Sequence, residues 1–235
     1  MKTSDIEVKL IDFMGTDLSV VNAARVSFDK ESEWGLEVVG SEMFEGEAVM
    51  HYGAVLKPGD VNLINYLAKH KHFSPFNHAF MTFRVKAPIF VARQLVKHKF
   101  LPWNEVSRRY VDSEPEFYIP KEYRAKADNV KQGSGEVLDE SSFLEEDVEE
   151  HVDFCLNSYN YLLETGVCPE QARMVLPQNT MTEWIWSGTL GAFADMLRLR
   201  LDPHAQYESR IVAEKIKAEV EKLFPVSSKA LLGAD

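Results

Sequence analysis

Residues 93–110 read RQLVKHKFLPWNEVSRRY, and the rest of the chain is best understood outward from them. Five of these residues are Arg or Lys (Arg93, Lys97, Lys99, Arg108, Arg109), joined by His98 and a single acid, Glu105. The whole chain carries 37 acids against 26 bases. A local excess of positive charge in an acidic protein points to an anionic ligand. The apolar run APIFVA (87–92) stands directly in front, so the charges hang from a buried element. Lys97-His98-Lys99 and Ser107-Arg108-Arg109 form two donor groups separated by a turn. Arginine suits bidentate phosphate recognition and lysine acts as a point charge. Three readings stay open on these residues alone. They are a pocket for phosphorylated small molecules, a nucleic-acid groove with Trp103 and Tyr110 as stacking platforms, and plain solvated surface charge. Glu105 would repel nucleic-acid phosphates, but suits orienting the arginines or accepting from a ligand hydroxyl.

At 235 residues the chain has room for one large domain or two small ones. Its 45% hydrophobic and 27% charged residues are ordinary for a globular protein. No run approaches the ~18 apolar residues that a membrane-spanning helix needs, and MKTSDIEVKLIDFMG at the start lacks the apolar core of a signal peptide. Cys155 and Cys168 form no CxxC pair, so neither a disulfide framework nor a cysteine metal site is expected. A cytoplasmic protein is expected. His70, His72 and His78 cluster, but no HExxH and no fourth ligand accompany them, so no metal is expected. There is no P-loop or GxGxxG loop, Ser107 sits in no nucleophile elbow, and neither cysteine has a basic neighbourhood.

Taken in order, residues 6–12 (IEVKLID) predict an opening strand and 19–27 a short helix. Residues 30–58 show no sustained period and are expected to form an inserted loop or hairpin. Asp60 is expected to cap a helix ending near His70. The β-branched and aromatic run 78–86 predicts a strand. Pro88 then opens a helix carrying Gln94, Lys97 and His98 on one face. Residues 116–120 (EFYIP) suit a short strand, and 121–135 an internal linker. Nine acids and no Lys or Arg lie between Glu136 and Asp153. They predict the solvated face of a helix running to about Glu164, with Val148, Val152, Cys155, Leu156, Tyr159 and Leu163 as its buried stripe. Gly166 ends that helix and Pro169 opens another. A longer helix is expected from Thr182 to about Leu199. A final one, opened by Asp202-Pro203, is expected from His204 to Phe224.

The motifs resemble those of the flavin-dependent thymidylate synthases. That family's signature, RHR followed by seven residues and Ser, stands here as Lys97-His98-Lys99, seven residues, then Ser107. Neighbouring text is similar too: RVSFD (25–29), HFSPFNH (72–78), VKAPIFVARQ (85–94), NEVSRRY (104–110), EFYIP (116–120), ARMVLP (172–177) and LRLDPHAQ (199–206). The resemblance implies one α/β (α+β) domain over 1–235, with an antiparallel or mixed sheet flanked by helices and a helical C-terminal half. It implies methylation of dUMP to dTMP, with the carbon from methylenetetrahydrofolate and the hydride from FAD recharged by NADPH. It also implies a homotetramer with sites shared between subunits, and neither membrane nor nucleic-acid partners. By position, Gln94, Ser107 and Arg109 match the residues that hold the dUMP phosphate and sugar, with Lys97 and Arg108 beside them and Arg173 completing the clamp. Arg200 matches the arginine that favours N3-deprotonated uracil, Glu105 a residue near nucleotide and flavin, and His72 a histidine near the flavin ring. Ser74, Lys97, His98, Lys99, Glu105, Thr189, Gly191 and Asp195 match the FAD side.

Departures cluster on that side. The signature's two arginines are lysines, which keep charge but lose the planar fork. Thr189 and Gly191 replace an Asn and an Arg, Asp195 stands where Asn is common, and Asn77 where Glu is frequent. An altered cofactor side over an intact nucleotide side leaves a related C5 modification, such as hydroxymethyl transfer, as the alternative product. A nucleic-acid-binding protein is the remaining alternative.

Overall fold

The computed structural model describes residues 1–44, 47–127, 133–139 and 141–233. In chain order its elements are β1 (Lys2–Thr3), β2 (Glu7–Met14), α1 (Asp17–Arg25), β3 (Gly35–Phe44), β4 (Glu47–Val55), α2 (Pro58–Lys69), β5 (Phe80–Pro88) and α3 (Ile89–Leu95). There follow β6 (Trp103–Glu105), β7 (Glu116–Phe117), α4 (Ser141–Glu164), α5 (Pro169–Ala172), β8 (Met181–Thr189), α6 (Leu190–Arg200), α7 (Tyr207–Leu223) and α8 (Pro225–Leu232). One four-stranded sheet runs β2-β5-β8-β6, and two-stranded sheets pair β1 with β7 and β3 with β4. The β6–β8 and β3–β4 pairs are antiparallel and β1–β7 is parallel. The mixed α/β expectation holds.

The chain divides into two compact units. The first gathers Met1–Asp12, Thr82–Gly188 and Met196–Lys217. Its sheet buries Phe83, Val85, Trp184 and Trp186, with Val91 and Leu95 of α3 and Val212 and Ile216 of α7 also buried. Here α4 follows the expected stripe: Val152, Leu156 and Tyr159 are buried with Phe117 and Ala172, and Val148 and Leu163 pack at the margin. Of its acids, Glu146, Asp147, Glu150 and Asp153 are exposed, while Glu145 and Glu149 are half-buried.

The second unit gathers Phe13–Met81, Thr189–Asp195 and Ala218–Asp235. It buries Val20 and Val21 of α1, Ile64 and Leu67 of α2, and Ala230 and Leu231 of α8. Asp17 accepts from the Val226 and Ser227 backbone N–H groups, both at 2.9 Å, and so satisfies the first turn of α8. Strands β3 and β4 pair antiparallel as the hairpin expected as one option for the insertion. Register pairs Leu36 with Ala54, Val38 with Tyr52, Ser41 with Met50 and Met43 with Ala48 on one face, while Phe44, Val49 and Val55 lie on the other. A register shift between Val38 and Gly40 keeps Ser41 and Met43 on the same face as Leu36 and Val38. Glu37, Glu42, Glu47 and His51 take the other face.

Four expectations need correction. Thr182 to Thr189 is strand β8, not the start of a long helix. Trp184 and Trp186 are both buried while Ile185 between them is exposed, a period of two that only a strand satisfies. Helix α3 stops at Leu95, so Lys97 and His98 stand in the following turn, not on a helix face with Gln94. Asp60 lies inside the first turn of α2 behind the Lys57 cap, and its buried carboxylate takes Arg25 and the Ser32 hydroxyl. The last expected helix ends as expected but starts at Tyr207, not His204, so Asp202-Pro203 does not open it, and a further helix, α8, follows at Pro225. In the 121–135 linker, residues 128–132 lie outside the described residues, while Arg124 bridges Val137.

Candidate active site

A cleft of about 370 Å³ in the first unit is lined by Glu105, Val106, Arg108, Glu114, Glu116, Arg173, Thr182 and Glu183, with Lys86 and Ser113 among its other walls. Three residues expected at a nucleotide site, Glu105, Arg108 and Arg173, therefore share one cavity. They come from β6, the turn after it, and the turn after α5. Antiparallel pairing of β6 with β8 sets Glu105 opposite Trp184, so the strand mistaken for a helix is what positions the acid.

The charges in the cleft are not all equivalent. Glu114 pairs with Lys2 at 2.8 Å, Glu116 with Lys86, and Glu183 with Arg84. The Lys86 ammonium, hydrogen-bonded to Glu116, holds that carboxyl below its usual range. By contrast Arg108 donates to the Ser113 carbonyl at 2.8 Å, and Arg173 to the Glu170 carbonyl at 3.1 Å. A carbonyl orients a guanidinium without cancelling its charge. Glu105 is likewise held by neutral donors, Thr182 Oγ1 at 2.7 Å and Trp103 Nε1 at 3.0 Å. Trp103 in turn stacks on Trp184 with ring centroids 4.2 Å apart. The cleft thus presents two cations and one anion whose charges no described partner neutralises.

The other expected residues are placed as follows. Ser107 Oγ accepts from Arg109 Nε at 3.2 Å, and the Arg109 guanidinium lies 4.8 Å from the Tyr110 ring centre. Gln94 is engaged at both ends of its amide, donating to Gln206 Oε1 and accepting from Ser209 Oγ at 3.1 Å. Arg200 Nε donates to His98 Nε2 at 2.9 Å, and burial lowers the Arg200 pKa. Gln94, Arg109 and Arg200 do not line the 370 Å³ cleft. Lys97 and Lys99 are exposed on the turn that carries Phe100, 84% exposed with a positive φ of 64°.

His72, Ser74, Thr189, Gly191 and Asp195 belong to the second unit. There, three of the departures turn out to be neighbours. Thr189 Oγ1 donates to Asn77 Oδ1 at 2.8 Å, and a Cβ on Gly191 would stand 2.8 Å from that same oxygen. Asn77, Thr189 and Gly191 are one packing unit, in which the amide occupies the room that a side chain at 191 would need.

Sequence reasoning missed Lys86, Thr182 and Glu183 as cleft walls. The available signal was the alternation of 181–189, which in a strand puts Thr182 on one side with Trp184 and Trp186.

The profile described as Thymidylate synthase complementing protein matches residues 9–226. The chain belongs to that family. It is 39% identical over 222 residues to a flavin-dependent thymidylate synthase of Thermus thermophilus, covering 94% of this chain and 73% of that protein. The flavin-dependent thymidylate synthase of Kosmotoga olearia is 36% identical over 227 residues, covering 96% and 89%. Among solved structures, the UMP/dUMP methylase PolB from Streptomyces cacaoi bound with 5-Br dUMP superposes with a TM-score of 0.81 at 30% identity, covering 99% of this chain and 97% of that one. The family assignment thus covers both units.

The donor set fits a flavin dinucleotide in character. Exposed Lys97 and Lys99 suit a diphosphate as point charges. Phe100, on the same turn, offers an apolar ring.

Proposed function

We propose that this protein is a flavin-dependent thymidylate synthase that methylates dUMP to dTMP. The observation that carries the reading is the cleft in which Arg108 and Arg173 keep their charge beside an oriented Glu105. Membership of a family whose relatives are named flavin-dependent thymidylate synthases supports it. In this reading Arg108, Arg109 and Arg173 take the nucleotide phosphate through charge-assisted hydrogen bonds, with Ser107, Gln94 and Lys97 toward phosphate and sugar. Arg200 places a fixed positive charge at the pyrimidine, which stabilises the N3 anion and lowers its pKa. Glu105 lies near nucleotide and cofactor.

On the cofactor side, Ser74, Lys97, His98, Lys99, Thr189, Gly191 and Asp195 hold FAD, with His72 near its ring. When bound, the flavin supplies the hydride, recharged by NADPH, and methylenetetrahydrofolate supplies the carbon. The enzyme works as a cytoplasmic homotetramer. No helix among the described residues is long and apolar enough to cross a membrane.

A second reading has one specific observation in its favour: the structural relative is named a methylase of UMP as well as dUMP. The test is direct. Purified protein is incubated with methylenetetrahydrofolate, FAD, NADPH and either dUMP or UMP, and the product is identified by mass. A methylated dUMP supports the main reading, and a methylated UMP the second. Addition of a hydroxymethyl group, or no product with either nucleotide, overturns both.

A further inference from the structure

Arg200 stands at the end of α6, half-buried, with Nε donating to His98 Nε2 at 2.9 Å. A guanidinium nitrogen can only donate, so this bond requires His98 Nε2 to carry its lone pair. The ring is therefore neutral, with its proton on Nδ1. This partner differs in kind from a carboxylate. An Asp or Glu here would fix the arginine but cancel its charge, whereas a neutral imidazole fixes it and leaves the charge whole. Burial alone depresses the Arg200 pKa, which accords with a half-buried cation that has no carboxylate partner among the described residues. With Nε committed, the two terminal NH₂ groups are what Arg200 has to offer a ligand.

The charged neighbours of His98 and Arg200 in sequence are mostly cations. Lys97 and Lys99 flank it on its own turn, and Arg198 precedes Arg200 on α6. Asp202, the nearest following acid, accepts from the His204 backbone N–H at 2.7 Å and lies 3.0 Å from its ring nitrogen. A second positive charge on His98 would both remove the acceptor and repel Arg200.

We infer that His98 is a positioning residue for Arg200: its neutral Nε2 aims the guanidinium, and its protonation releases it. This role is separate from any contact of His98 with cofactor. It rests on the reading of Arg200 as the pyrimidine-facing cation of a dUMP site.

The test is dUMP binding by titration calorimetry, which needs no turnover, across the histidine range of about pH 5.5 to 8. Wild type is compared with His98→Gln, which keeps an acceptor but cannot titrate, and with His98→Ala, which has none. The dUMP phosphate itself titrates near about pH 6, equally for every protein, so the difference between curves isolates the imidazole. Wild-type affinity is expected to fall with acid by about tenfold more than that of His98→Gln. At pH 8, His98→Gln stays within a few-fold of wild type and His98→Ala is about tenfold weaker. Adding Arg200→Lys to His98→Ala is expected to cost less than the two single losses combined.

Superimposable pH curves for wild type and His98→Gln overturn the inference, as do full affinity in His98→Ala or strictly additive losses. If His98→Ala fails to fold, the wild-type and His98→Gln comparison decides alone. Absence of dUMP binding by wild type at any pH would remove the nucleotide-site reading and this inference with it. Binding whose pH curve ignores His98 removes only the inference.

Discussion

Arg173 and Arg108 differ from the other cations of the cleft in what holds them. Main-chain carbonyls orient both, whereas Lys86 already faces a carboxylate. A hydrogen bond between ionised partners contributes about 1.5 to 3 kcal/mol. Arg173→Ala is therefore expected to weaken dUMP binding by roughly ten- to a hundredfold by calorimetry. Arg173→Lys should recover only part of that loss, because the ammonium lacks the fork. Wild-type affinity in the alanine variant would exclude Arg173 from the clamp. Glu116 shows a second kind of residue effect. Its folded-state pKa is lowered, first by its hydrogen bond to Lys86, so the pair stabilises the fold above the ordinary carboxylate value near about 4.3. That contribution disappears as the pH falls through the lowered value. Glu116 is partly exposed, so the effect is below about 1 kcal/mol. Chemical denaturation should find Glu116→Gln slightly less stable than wild type at pH 7 and equal to it in strong acid. A constant gap across that range would contradict the assignment.

The decisive element is β8. Its face of Thr182, Trp184, Trp186 and Gly188 builds the floor on which β6 sets Glu105. Gly188 matters because the chain ahead of β6 runs close against it. A Cβ there would lie 2.2 Å from Leu101 Cδ2 and 3.3 Å from the Phe100 carbonyl oxygen. Gly188→Val must displace Leu101 and strain the turn bearing Lys97 to Phe100. An overpacked site of this kind costs about 1 to 3 kcal/mol, measurable as a lowered melting temperature. An unchanged melting temperature would show that the turn yields freely. The same element shows why a helix was expected here. TMTEWIWSGT runs straight into the apolar start of α6, so strand and helix merge into one apolar stretch. Periodicity over so few residues separates them poorly. The two-tryptophan alternation was the available clue. The hairpin posed the opposite problem: which of its residues share a face depends on the register shift after Val38, which no local propensity shows.

For the whole molecule, the expected quaternary state is four chains. Sedimentation of the purified protein should give the mass of four chains, and dilution should lower its thermal stability, because association shifts folding by mass action. A single-chain mass insensitive to concentration would refute this. Exposed apolar side chains are numerous in the hairpin, with Leu36 at 72%, Met43 at 71% and Tyr52 at 64% exposed. Such exposure is larger than scattered surface residues normally produce.

Family and the strongly patterned local elements were legible along the chain alone. The basic stretch, the ordered motifs and the acidic face of α4 are all local signals, readable without any contact map. Which of the charges are available became clear only after folding. The folded chain pairs Glu114, Glu116 and Glu183 with distant cations, leaves Arg108 and Arg173 on carbonyls, and joins residues a hundred positions apart, such as His98 with Arg200. It also makes Asn77, Thr189 and Gly191 one compensated contact instead of three separate departures. The physical reason is that spacing along the chain reports periodicity within one element. Electrostatic pairing and close packing depend on distances between elements, and those exist only once the chain has folded.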